Sequence, residues 1–511
     1  MKKTIIPVLL SLLILHSGCS RMEDTAGVPS DGTLVSRPNP LPVPSGPALS
    51  RQDLDDRIVG LYGTNGAFKW TDTDLHTLWS AAGTTGLVAL GYQPAGFRDT
   101  EKNLHNIDVK TGDWKKVHDA LILLVIDELG RKGLTVTAAD IVAEDDDVLP
   151  ILILRLSDKD VITRLYNLQN TRYLEPYGYW PNQWVERSSS GCGVSTEPLN
   201  PADWTGITPG CLLPWNYNNL NIPAAWNIAQ GNGVRIGVID AGLSSTQPLL
   251  GSQFTDGFSN VSRTVTTDYT FGTSAYSTCS HGTSMCATAA GPRNAQNATT
   301  GIAYQSGLHF IRGCEDVVLD LSSELSGAKK ALVKMGNLPD IRVISMSIGT
   351  PLSSSVLRDG VLYAYNKGKL IMAAAGTSFS WTSWWGVIYP AAYAECVAVT
   401  GVKENGSRCS SCHDGSQVLF TVPMERDANS GRNSLALKPS TTTPSYIGGS
   451  SVATSSAAGI AALVFSARPS LNRAQVVDIL TRTAQFYPNR NSTKGFGNLN
   501  AGAAVTLAQT Y

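Results

Sequence analysis

Val234-Arg-Ile-Gly-Val-Ile239-Asp240-Ala-Gly242 is a short apolar run that ends on a carboxylate and a glycine turn. A run of that length bounded by turn residues reads as a strand buried on both faces. The same pattern recurs at Leu308–Ile311, Ile341–Met346, Leu370–Ala375 and Cys396–Val402, with helical stretches between. Short buried strands alternating with helices predict an α/β fold with a mostly parallel central sheet covered on both sides. Open α/β sheets bind ligands at the carboxyl edge of their strands, which is where Asp240 falls. Taken alone, an aspartate at that place is more often a turn or capping residue.

Two further segments carry reactive side chains. In His281-Gly-Thr-Ser-Met-Cys286-Ala-Thr-Ala-Ala290-Gly291 a histidine heads a stretch of residues small enough for tight burial as a helix. Gly449-Ser450-Ser451-Val-Ala-Thr454 opens a longer small-residue stretch that runs to Val464 and reads as a buried helix. Its first serines stand at the positive helix end, where a serine is as easily an N-cap as a nucleophile. Together, Asp240, His281 and Ser451 lie at the ends of elements in the chain order Asp, His, Ser, one of the orders in which serine hydrolases arrange a triad.

These blocks resemble the subtilisin-like serine proteases, the subtilases of the peptidase S8 family. The resemblance runs from about 215 to 505 and is carried by Ile236-Gly-Val-Ile-Asp240-Ala-Gly242, His281-Gly-Thr283, Val343-Ile-Ser-Met-Ser-Ile-Gly349, Ala373-Ala-Ala-Gly376, Gly449-Ser-Ser451-Val-Ala-Thr454 and Gly495-Phe-Gly-Asn-Leu-Asn500-Ala501. It implies a three-layer subtilisin-like fold and a serine endopeptidase with Asp240, His281 and Ser451 as the catalytic residues. The chemistry suits those residue types: a serine hydroxyl is a poor nucleophile near neutral pH and needs a base, which in turn needs a group to orient it. The resemblance further implies that Ser347, Ile348, Gly349, Ala375 and Gly376 wall the S1 cleft, where a substrate backbone adds as a strand. Thr377 takes the place of the usual oxyanion Asn. Ser284 stands where a second His is frequent, Ser450 where Thr is usual, and Ser455 where Pro often follows. Trp381, Trp384 and Trp385 come next and either rim the cleft or pack as a surface loop. No cofactor or metal is required for this chemistry, and the sequence is silent on structural calcium.

Composition agrees with an ordinary globular protein. The chain has 511 residues, 42% hydrophobic and 16% charged, with 40 Lys and Arg against 41 Asp and Glu. The length suits roughly three domains, and a nucleic-acid partner would call for a basic excess that is missing.

Upstream, Lys2 and Lys3 precede an apolar run from Ile5 to Leu15 that is too short to span a bilayer and reads as an export signal over 1–18. His16-Ser-Gly-Cys19 is similar to the lipobox of bacterial lipoproteins, with His16 where Leu is usual. Lipidation at Cys19 would anchor the chain to a membrane; ordinary signal cleavage would leave it secreted. A Pro/Ser-rich tether is expected over 19–54. A propeptide follows over 55–180 as a small α+β domain: a helix over His118–Arg131, a strand over Ile151–Leu156, a helix capped by Ser157 and a strand over Arg172–Pro176. Placement alone likens 115–178 to the family's inhibitory propeptide, which would be this protein's own intramolecular inhibitor. The acidic run Glu144–Asp147 reads as a solvated loop. A linker over 181–210 leads into the catalytic domain, 211–511.

Apart from Cys19, the cysteines are Cys192, Cys211, Cys279, Cys286, Cys314, Cys396, Cys409 and Cys412, all in the C-terminal part. Export permits disulfides, and Cys192 with Cys211 is the expected local pair. Cys409-Ser-Ser-Cys412-His413 reads as a loop disulfide, or as a metal site that lacks its second half. The partners implied are a peptide or protein substrate, the propeptide and, through lipid, a membrane. The alternatives to an exported endopeptidase made as a zymogen are a catalytically silent peptide-binding surface protein of the same fold, and a narrow-specificity processing protease or peptide ligase.

Overall fold

The computed structural model describes residues 32–184, 192–259, 261–378 and 386–511. The export signal, Cys19, the start of the tether, linker residues 185–191, and Trp381, Trp384 and Trp385 lie outside the described residues.

The expected central sheet is present with nine strands. Their order is Pro444–Ile447, Asn429–Leu437, Val418–Arg426, Val397–Lys403, Leu370–Ala374, Ile341–Met346, Arg235–Asp240, Gly307–Arg312 and Val265–Tyr269. Pairing is parallel from Val418–Arg426 through Val265–Tyr269 and antiparallel for the two strands at the other edge. The strand Arg235–Asp240 explains why its run is apolar throughout. Ile236 and Val238 pack on the side of helices His281–Ala290 and Gly449–Ala467. Ile239 faces the helices Ser322–Gly336 and Ser355–Asn366 on the other side. With helices over both faces no polar alternation survives, as in parallel sheets generally. Gly449–Ala467 is apolar enough to cross a membrane but is the core helix of this layer, buried without a break from Val452 to Phe465.

The N-terminal unit is a four-stranded antiparallel sheet in the order Val142–Asp145, Ile151–Arg155, Leu87–Tyr92, Thr171–Pro176. Helices Gly112–Arg131 and Lys159–Tyr166 complete a split βαβ arrangement. The unit expected over 115–178 therefore reaches back to Leu87, whose strand pairs with two others at the centre of the sheet. Residues 32–50 of the expected tether lie against this unit, with the Val35 and Leu41 N–H groups donating to the side-chain oxygens of Asn170 and Asn167 at 2.8 Å. A helix, Arg51–Asn65, begins before the tether was expected to end, capped by Ser50.

The N-terminal sheet docks on the helices Ser322–Gly336 and Ser355–Asn366. Val88, Leu90, Leu152 and Leu154 pack on its own helices, whereas Ala89, Ile151 and Ile153 join the core of the C-terminal unit. Ion pairs surround this contact. Arg172 forks onto Asp359 at 2.7 and 2.9 Å, each side chain 3% exposed, and the Tyr173 hydroxyl donates to the same carboxylate at 3.0 Å. Glu175 accepts the Ser355 N–H at 2.8 Å, at the start of its helix. The acidic run Glu144–Asp147 is not the solvated loop expected. Glu144, at 2.9 Å, and Asp146 both bind the ammonium of Lys329, which is 1% exposed. A buried ammonium requires such anions, and a partner more than 180 residues away leaves no trace in local sequence.

The disulfides are Cys192–Cys279 and Cys409–Cys412, with Cα atoms 4.7 and 5.4 Å apart. The expected Cys192–Cys211 pair does not form: Cys211 is a buried free thiol whose sulfur lies 3.1 Å from the Ala298 carbonyl. Its strand directs it into the core, while Cys192 meets the chain just before His281. Cys409 and Cys412 form the loop disulfide, which leaves neither sulfur as a thiolate ligand.

Candidate active site

Asp240 ends its strand fully buried, and its Oδ1 accepts the Ala241 N–H at 2.8 Å. The same oxygen accepts from His281 Nδ1 at 2.7 Å. His281 is the first residue of its helix, and Gly282 lets that helix start sit tightly on the sheet edge. A Cβ at Gly282 would fall 2.5 Å from the Phe310 ring and 2.7 Å from the Gly242 carbonyl. Burial alone would lower the His281 pKa, but the charge and hydrogen bond of Asp240 outweigh it, Asp316 adds to them, and the imidazole is held above its ordinary value. With Nδ1–H engaged by the carboxylate, Nε2 is the nitrogen left for a nucleophile.

Ser451 is the third residue of Gly449–Ala467 and is partly exposed between buried Ser450 and Val452. One turn further along, the Ser455 hydroxyl donates to Met285 Sδ at 3.1 Å, and Met285 lies one turn beyond His281. The two helices thus run side by side with Ser451 and His281 at their heads. The Ser451 N–H lies in the first helical turn, where amides have no partner within the helix.

Thr377 lies against this helix start. Its Oγ1 accepts the Ser450 N–H at 3.0 Å and lies 3.1 Å from the Ser450 hydroxyl, which itself accepts the Gly376 N–H at 3.0 Å. Gly449, at φ 80°, is needed here: a Cβ would meet Thr377 Oγ1 at 2.4 Å.

Of the residues expected to wall the cleft, Ser347 and Gly376 bond the start of the helix Gly449–Ala467. The Ser347 hydroxyl donates to the Ser451 carbonyl at 3.0 Å and so braces the start of that helix. Ile348 is buried. Gly349, where a substrate backbone was expected to add, is already paired with this chain: its N–H donates to Val317 and its carbonyl accepts from Leu319, both at 2.9 Å. The loop after Gly307–Arg312 brings its own edge to that position. The Ala375 carbonyl accepts the Ile388 N–H at 3.0 Å, and a Cβ at Gly349 would lie 2.7 Å from Ile388 Cδ1, so Ile388 connects the two walls. Gly376, at φ 122°, is covered by His413, whose Nδ1 would lie 2.2 Å from a Cβ there.

Two residues escaped the sequence reading. Asp316 acts on His281 from the loop that closes Gly349. Glu324 holds that loop, its carboxylate accepting the N–H groups of Glu315, Asp316, Asp320 and Leu321 at 3.0 to 3.3 Å. A Glu at the third position of a predicted helix is a capping signal that would have found it.

A family model described as the Subtilase family matches residues 231–498. M-protease of Shouchella clausii (strain KSM-K16) is 31% identical over 296 residues, which cover 57% of this chain and 70% of that protein. Thermitase of Thermoactinomyces vulgaris is 29% identical over 289 residues, covering 56% and 93%. Among solved structures, a protease from Pseudoalteromonas arctica PAMC 21717 aligns over 57% of this chain and 94% of its own at 22% identity, with a TM-score of 0.46.

Proposed function

The chain belongs to the subtilase family and is a serine endopeptidase, and on that premise we propose that it is exported, made as a zymogen, and cuts peptide bonds through Asp240, His281 and Ser451. Ser451 Oγ attacks the scissile carbonyl while His281 Nε2 takes its proton and then delivers it to the leaving amine. Asp240 holds the imidazole tautomer and stabilises the imidazolium without itself being protonated. The acyl-enzyme is then hydrolysed by water with His281 as base. The Ser451 N–H and the Thr377 hydroxyl are the donors to the tetrahedral oxyanion. The observation that carries this reading is the 2.7 Å His281–Asp240 bond at a sheet edge, beside the helix that begins with the nucleophile.

The N-terminal unit is the inhibitory propeptide, a reading supported by its docking on two helices of the catalytic unit and by its place just before the linker. The precursor is tied to a membrane by lipid on Cys19, upstream of the propeptide, and loss of the Cys19→Ser precursor from the membrane fraction is the check. Retention of that variant there would overturn the anchor.

Labelling by a fluorophosphonate probe tests the enzyme. The processed protein should react, and Ser451→Ala should lose both labelling and turnover, with kcat falling by a factor on the order of 10⁶ as for a subtilisin without its nucleophile. The silent peptide-binding alternative draws on Thr377 and the closed edge at Gly349. It would be favoured by a processed, folded protein that neither labels nor turns over.

A further inference from the structure

We propose that Ser450 is a positioning residue: its hydroxyl compels Thr377 to present its only proton to the oxyanion. The inference rests on the reading of Thr377 as an oxyanion donor and explains how a threonine can serve there. A hydroxyl has one proton to give and two lone pairs to fill. Thr377 Oγ1 already accepts the Ser450 N–H at 3.0 Å, and the contact with Ser450 Oγ at 3.1 Å can in principle run either way.

Burial decides the direction. Ser450 is 1% exposed and its oxygen accepts the Gly376 N–H at 3.0 Å, so its own proton must find an acceptor inside the protein. Among the described residues Thr377 Oγ1 is the acceptor in reach. Were Thr377 to donate to Ser450 instead, the Ser450 proton would be left buried without a partner, which is costly. Thr377 is partly exposed and can turn its proton outward. The bonds therefore run from Gly376 N–H to Ser450, from Ser450 O–H to Thr377, and from Thr377 O–H into the site. With both lone pairs filled, Thr377 Oγ1 is restricted to donating, which suits an oxygen that becomes an anion. Gly449 is the neighbour whose backbone lets the group close up this tightly.

The test is steady-state cleavage of one chromogenic peptide by the processed protein and its variants, with thermal melts to establish folding. Ser450→Ala should lower kcat by about 2- to 10-fold, the value of one net hydrogen bond, with KM unchanged. Ser450→Thr, which keeps the hydroxyl, should restore kcat. Thr377→Val should cost more, and Ser450→Ala added to Thr377→Val should cost nothing further, because Ser450 acts only through Thr377. Independent, multiplying losses in the double variant would overturn the proposal, as would full kcat in a folded Ser450→Ala. A folded Thr377→Val with full kcat would instead remove Thr377 from the oxyanion site, and the proposal with it, while leaving the Asp240, His281 and Ser451 assignment intact.

Discussion

Both sheets of this protein carry apolar residues on either face, yet what covers those faces differs. The nine-stranded sheet is covered on both sides by helices of its own unit. The four-stranded N-terminal sheet has its helices Gly112–Arg131 and Lys159–Tyr166 on one side; on the other, Ala89, Ile151 and Ile153 lie on helices of the C-terminal unit. Charges follow the same division. The buried ion pairs Arg172–Asp359 and Lys329–Glu144 join the two units, while the pair Asp240–His281 belongs to one unit alone. Release of the N-terminal unit, as proposed above, would expose a docking face made of apolar residues ringed by charges and return those charges to water.

The largest expected effect comes from breaking a docking charge pair. In a Ser451→Ala background, where the N-terminal unit stays attached, Arg172→Met leaves Asp359 buried without its cation. That should weaken docking by about 3–5 kcal/mol, read as earlier unfolding of the N-terminal unit in urea. Adding Asp359→Leu should recover most of the loss, since a buried pair can be exchanged for apolar groups of similar size. No recovery would mean that the pair does more than compensate its own burial.

A pair of neighbours sharpens the two-faced sheet. Leu152→Ala and Ile153→Ala each delete a buried side chain and should each cost about 2–5 kcal/mol in the whole chain. In the isolated segment 32–184 they should part company. Leu152→Ala still opens a cavity against the unit's own helices, whereas Ile153 is then at the surface and its replacement is nearly silent. Equal losses in the isolated segment would refute the assignment of faces.

The smallest effect is a pH dependence of docking. Burial pushes the Glu175 carboxyl up to about 7 against hydrogen bonds from Ser354 and Ser355. The docked state thus holds a proton that the released state gives up, between pH 4.5 and 7. Its contribution is fully present below about pH 4.5 and is lost as pH rises through 7, weakening docking by on the order of 1–3 kcal/mol. Glu144 has the opposite sign. Burial would raise it, but the charge of Lys329 and hydrogen bonds from Lys329 and Ser326 bring it down to about 2, so its contribution is lost as pH falls from about 4.5. Docking should be tightest near pH 4.5 to 5 and weaker at 8, and Glu175→Gln should flatten the alkaline side. An alkaline side that is unchanged in Glu175→Gln would exclude Glu175 as its cause.

Asp240, His281 and Ser451 were legible as candidates because each sits in a segment whose local pattern already says strand edge or helix start. Asp240 follows a strand-length run, and His281 and Ser451 head small-residue helices. The features that escaped were pairings between distant segments. Cys192 joins Cys279 across 87 residues of chain and passes over the nearer Cys211. Val317 and Leu319 take the edge of Gly349, and Glu144 and Asp146 answer a lysine on another unit's helix. Leu87–Tyr92 was missed because it follows the helix Leu75–Thr85 with a single glycine between, so the change of period has no loop to announce it.

By itself the sequence determined that the run from Ile151 to Leu156 is a strand, and that Asp240, His281 and Ser451 come in the order of a known triad. Side-chain alternation and helix starts are properties of a few adjacent residues, so a local reading suffices for them. Only the tertiary structure decided that Ile151 and Ile153 face another unit while Leu152 and Leu154 face their own helices, because a strand's two faces are chemically alike until something packs on each. The role proposed for Ser450 likewise rests on tertiary contacts. A serine before the nucleophile can donate in several directions, and its burial beside Thr377 and Gly376 leaves one.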